Sequence, residues 1–141
     1  MKYLILFLLV SCGTNKNTMQ LSQGYTTQEL IDNVEEFEDA FNIDVNFEVV
    51  YVDQLSNSNP NSAQCLSDGG SFRRVEIKST ITKPSELSLR IYHELGHCAL
   101  NISHYDDVVD IMNTYPLINP KQMDTIYIPQ MIANYEGEVY E

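Results

Sequence analysis

A chain of 141 residues fits one domain with a single modest core. Hydrophobic residues make up 43% and charged residues 20%, which is a globular composition and not a disordered one. The net charge of −12, with only eight scattered Lys and Arg, excludes the clustered cations that nucleic-acid binding requires. The acidity reads as solubility.

Lys2 precedes an apolar run, Tyr3 to Val10, far shorter than the ~20 residues of a membrane-spanning helix. The run ends in Leu9-Val10-Ser11-Cys12. A short apolar run, a small residue and then Cys resembles a bacterial lipoprotein signal. That resemblance implies cleavage before Cys12 and a lipid on Cys12. It also implies an exported domain anchored to a bacterial membrane, at its periplasmic or cell-surface face. An ordinary cleaved signal peptide would export the chain as well. Residues 1–11 are therefore read as a signal, 12–25 as a polar tether and 26–141 as the folded domain. Cys65 and Cys98 remain; export permits a disulfide between them, and two buried thiols are the alternative.

Thr26-x-x-Glu29 fits a capping box, and Leu30, Val34, Phe37 and Phe41 follow at helical spacing. The opposite, acidic face of this helix (Asp32, Glu35, Glu36, Asp39) reads as solvated. Val45 to Val52 is rich in β-branched and aromatic residues and predicts a strand. Residues 53–71, rich in Asn, Ser, Pro and Gly, predict a loop. Phe72 to Ile81 partly alternates. Val75 and Ile77 fall on one side and Arg74, Glu76 and Lys78 on the other, as in a half-exposed strand. Pro84 opens a second helix that should run to about Leu100. Residues 101–118 read as irregular connections. Asn119-Pro120-x-Gln122 then starts a last helix, with Met123, Ile126, Tyr127, Met131, Ile132 and Tyr135 as its apolar stripe. Pro129 should kink or split it.

All three histidines lie in one segment, HELGHCALNISH, residues 93–104. On a helix, His93 and His97 lie four apart on one face, where two imidazoles can reach one Zn²⁺. Glu94 stands beside them, placed to take a proton from an activated water and not to bind metal. A catalytic zinc needs a third protein ligand, and His104 is the nearest candidate. The chain must reverse to bring it back, and Asn101 suits the left-handed turn that this requires. Asp106 and Asp107 are rival ligands, as are Glu136 or Glu138 if a downstream Glu completes the site instead.

The segment HELGHCALNISH resembles the extended zinc motif HExxHxxGxxH of the metzincin metallopeptidases. Asp110-Ile111-Met112-Asn113 is similar to that family's Met-turn, which implies a hydrophobic floor at Met112. This chain has three residues, Cys98-Ala99-Leu100, where the family has two, and Asn101 where the family has Gly. The spacing from Asn101 to His104 matches the family's Gly-to-His spacing, so one extra helical residue precedes the same turn. The resemblance implies an α+β, reduced metzincin-like fold: a small sheet packed on the N-terminal helix and the zinc helix, with a helical C-terminal part. It implies a zinc endopeptidase with Zn²⁺ on His93, His97 and His104, Glu94 as general base and peptide or protein as substrate. It also places the substrate-binding rim at residues 72–78 and makes Tyr115 a weak candidate for transition-state contact. We expect a monomer, with the membrane as partner through its N-terminal lipid and no nucleic acid. A non-catalytic zinc-binding lipoprotein is the competing reading; it would keep the ligands without needing Glu94.

Overall fold

The structure, a computed structural model, describes residues 20–57, 60–104, 110–113, 119 and 122–138. The signal region, Cys12, Asp106, Asp107 and Tyr115 lie outside the described residues, as does the side chain of Glu138. The elements in chain order are β1 (Gly24–Tyr25), α1 (Gln28–Phe41), β2 (Glu48–Val52), β3 (Ala63–Ser67), β4 (Arg73–Lys78), α2 (Pro84–Cys98), a π-helical turn (Met123–Tyr127) and α3 (Ile128–Glu138). This is an α+β domain: one mixed four-stranded sheet packed with three helices. None of the described helices is long and apolar enough to cross a membrane.

The sheet order is β1-β2-β4-β3. β2 and β4 run parallel, with Val49 opposite Val75 and Tyr51 opposite Ile77. β3 is antiparallel to β4, with Cys65 opposite Val75, and forms one edge. β1 is antiparallel to β2 and forms the other edge. Two expectations are corrected here. β3 lies inside the stretch read as loop: a strand of Ala-Gln-Cys-Leu-Ser lacks the β-branched run that would mark it, and only its pairing with β4 makes it one. β4 is an interior strand and not an edge, so residues 72–78 cannot offer a free rim.

The interior position of β4 also buries its polar side. Val75 and Ile77 pack in the main core with the helices, while Arg74 is 6% exposed and Glu76 fully buried on the reverse face. Glu76 is neutralised and saturated there. Its carboxylate accepts from the Ser56 N–H (2.8 Å), the Ser56 hydroxyl (2.6 Å) and Gln64 Nε2 (2.9 Å), and it lies 3.3 Å from Arg74 Nε. Arg74 Nη2 donates to the Ser22 carbonyl at 2.7 Å. The network ties residue 22 to the sheet, next to a small second core of Val50, Val52 and Leu55. Residues 22–25 therefore belong to the folded domain and not to the tether.

α1 is capped one residue later than expected: the Thr27 hydroxyl accepts from the Leu30 N–H, while Thr26 donates to Val49 O. Leu30, Phe37 and Phe41 are its buried stripe. Asn42, at φ 50°, ends it in the left-handed conformation that Asn tolerates. Phe37 meets Tyr92 of α2 edge-on at 5.1 Å, and Phe41 meets Tyr135 of α3 at 6.0 Å, so α1 bridges the other two helices. In the C-terminal part, Pro129 has no N–H to donate, and the chain makes a π turn before resuming as α3.

Replacing Glu76 by Ala removes the buried anion facing Arg74, leaves it the exposed Glu48 carboxylate at 3.5 Å, and orphans three donors. Losing one partner of a buried pair costs about 3–5 kcal/mol. The urea unfolding midpoint of the Glu76→Ala chain should drop accordingly; a change below about 1 kcal/mol would show the network to be solvent-accessible.

Candidate metal centre

α2 is buried on almost every side, including His93, Glu94, Leu95 and Gly96 in its last two turns. The helix is capped at Ala99, one turn past Leu95, and Arg73 Nη1 donates to the Cys98 carbonyl at 2.7 Å. Asn101 then takes φ 58°, and the Ile102 N–H closes back on Gly96 O at 3.0 Å. That loop is one residue wider than the six-residue Schellman closure. It turns the chain over the end of the helix and carries His104 back towards His93 and His97.

The three Nε2 atoms form a triangle with edges of 3.0, 3.2 and 3.3 Å. A carbonyl oxygen only accepts, so the ring nitrogens that face carbonyls must carry the protons. His93 Nδ1–H donates to Ile111 O at 2.6 Å and His97 Nδ1–H to Ile102 O at 2.7 Å. Both rings are thus held as the tautomer whose Nε2 lone pair faces the centre. Burial pushes the His93 pKa down to about 4 and also lowers that of His97; the His97 and His104 rings lower His93 further, and the His104 ring lowers His97. Neutral imidazoles with converging lone pairs can hold a metal ion. Among the described residues, His93, His97 and His104 are the group that can do so; Glu136, exposed on α3, is not part of it.

Glu94 stays outside the triangle. Burial raises its pKa to about 7 against the opposing pull of the Cys65 backbone N–H and of Arg90. A group that takes and gives a proton near neutrality suits general-base chemistry. The triad and Glu94 line a cleft of about 270 Å³ whose other wall is Asn61, Ala63, Gln64 and Cys65. A larger groove of about 340 Å³, between α1 and residues 45–49, contains no histidine or cysteine. Cys65 and Cys98 are joined in a disulfide, with Cα atoms 5.6 Å apart.

Below the histidines the packing is apolar. Met112 is fully buried, in the turn at residues 110–113. A Cβ on Gly96 would come within 2.4 Å of Met112 Sδ and 2.8 Å of Met131 Cε. The turn is held by Asp110: one carboxylate oxygen accepts from the Met112 N–H at 2.9 Å, the other from Asn134 Nδ2 of α3 at 2.9 Å. Sequence reasoning missed Asp110, Asn134 and Gly96 as supports of the site. An Asp at the head of a turn was a usable signal for the first; neither of the others carries a local one.

Gly96→Ala isolates this contact. Ala is the better helix former by about 1 kcal/mol, yet the added methyl group must displace Met112. The variant should be less stable by about 1–3 kcal/mol in denaturant unfolding. A stabilised variant would mean that the floor is loosely packed. No protein-family model, curated protein or solved structure matches this chain; the reading of the site rests on its own residues.

Proposed function

We propose that the chain is a zinc-dependent, metzincin-like endopeptidase. The observation that carries this is the His93–His97–His104 triangle with the Glu94 carboxylate at the wall of the same cleft. Three nitrogens tetrahedrally disposed around zinc at ~2.0–2.1 Å lie ~3.3–3.4 Å apart. The observed 3.0–3.3 Å edges fit that value closely. An all-imidazole donor set suits zinc and not the hard, oxygen-seeking cations, and three protein ligands leave the fourth position open. Zinc bound there supplies Lewis acidity to a carbonyl oxygen and makes water more acidic.

The chain's own groups do the rest. Glu94 takes a proton from the attacking water at its carboxylate and delivers it to the leaving amine nitrogen. Ile111 and Ile102 carbonyls keep the two helix imidazoles aimed while charge develops. β3, the edge strand at the cleft, replaces residues 72–78 as the rim for an extended peptide, since its outer side has no strand partner among the described residues. The turn at Asn101, the order of the elements and Met112 under Gly96 support the metzincin likeness.

We also propose that the domain is exported and lipid-anchored through Cys12. The signal-like start of the sequence supports this, and so does the Cys65–Cys98 disulfide, which belongs to an oxidising compartment.

Two variants test the reading. Glu94→Ala should retain zinc, measured by metal analysis, and lose peptide hydrolysis by about 10²–10⁴-fold, the usual weight of a general base. Equal turnover at equal zinc content would remove Glu94 as the base, and zinc binding without hydrolysis in the wild-type chain would leave a non-catalytic zinc-binding protein. His104→Ala should fold, since neither core includes residue 104, but lose zinc in competition with a chelator. Retention of zinc at wild-type affinity would mean that another residue completes the site.

A further inference from the structure

The disulfide joins the two elements that the cleft needs in a fixed relation. Cys98 is the last residue of α2, directly after His97. Cys65 sits in β3 and forms part of the cleft wall. Among the described residues β3 is hydrogen-bonded to a neighbouring strand on one side only, and the segment before it is rich in Asn, Ser and Pro. The strand's inner side is held to the sheet by the β4 ladder and by Gln64 on Glu76, and the disulfide ties it covalently to α2. The Cys65 backbone N–H acts on the Glu94 carboxylate and both residues line the cleft, so whatever places β3 also places that N–H against the carboxylate. The imidazoles are held differently: their N–H groups go to Ile111 and Ile102, neither of which is in the sheet.

We propose that the Cys65–Cys98 disulfide is a positioning element of the hydrolytic centre. It clamps β3 against the end of α2, so that the Cys65 N–H keeps the Glu94 carboxylate turned into the cleft, while the triad is held without it. The bond orients the base and leaves metal binding to the turns after the helix. The effect on rate rests on the peptidase reading above; the hold on Glu94 does not.

The test replaces the bridge in the otherwise complete domain by Cys65→Val with Cys98→Ala, which fills much of the same space, and in parallel by Ala at both positions. Three readouts are taken below the unfolding transition. Cobalt is the metal probe, and its visible spectrum should match wild type in both variants, showing an intact three-histidine site. Peptide hydrolysis should show kcat reduced at least tenfold with KM changed less than twofold. Amide hydrogen exchange should show protection lost at residues 64–66 and kept in α2. In a Glu94→Ala chain with the bridge intact, the Cys65 amide alone should lose protection.

An unchanged kcat with β3 protection lost would overturn the proposal. So would loss of the cobalt spectrum, because the bridge would then be holding the ligands. If both bridge variants lose protection throughout α1 and β2, the disulfide serves stability alone and the proposal fails. Absence of hydrolysis in the wild-type chain would instead refute the peptidase reading, and the exchange result at Cys65 would still decide the hold on Glu94.

Discussion

Everything at the site depends on where two imidazole N–H groups go. A neutral imidazole has one donor and one acceptor, so fixing the donor fixes the lone pair. His93 and His97 both donate to main-chain carbonyls, of Ile111 and Ile102, that come after the helix in sequence. The helix alone therefore does not make the site. It places two rings on one face; the returning chain decides what those rings can do. Asn101 is the pivot, because a positive φ there lets Ile102 bond back to Gly96 and carry its carbonyl to His97.

The second returning segment solves a packing problem and an orientation problem together. Ile111 supplies the acceptor for His93, and the next residue, Met112, fills the space that Gly96 leaves open on the helix. Asp110 makes that arrangement stiff by bonding both its own turn and Asn134 of α3. The dry surroundings have an electrostatic consequence as well. They push His93 down to about 4 and Glu94 up to about 7, so the imidazole stays neutral and the adjacent carboxyl stays exchangeable near neutral pH. One desolvated environment sets both groups for different tasks.

The helices and the histidine cluster were legible because their signals are local. Leu30, Phe37 and Phe41 recur at helical spacing, and three histidines within residues 93–104 leave little else for them to do. The left-handed turn at Asn101 was legible for the same reason. What could not be read depends on partners distant in sequence. β3 carries no strand composition and exists through its ladder with β4. Arg74 and Glu76 alternate with Val75 and Ile77 as a solvent-facing row would, but the cover comes from residues 22 and 56, which no periodicity connects to them. The cap at Thr27 in place of Thr26 is the smaller version of the same limit: two adjacent hydroxyls compete, and the contact of Thr26 with Val49 decides between them.

That buried network also fixes how the chain enters the domain. A charged pair inside a small protein adds little stability over a well-packed apolar one, so its presence points to specificity of arrangement. Here the arrangement concerns the N-terminal segment: Arg74 reaches Ser22 O, Ser56 Oγ accepts from Ser22 N, and β1 follows at once against β2. β1 and β3 are opposite edges of the sheet, three strand intervals apart, or ~14 Å at the usual spacing. The chain is thus pinned at one edge while the cleft opens at the other. For a domain tethered through its N-terminus, as proposed, any pull from the tether meets the Arg74–Glu76 network, which through Gln64 also braces the buried face of β3.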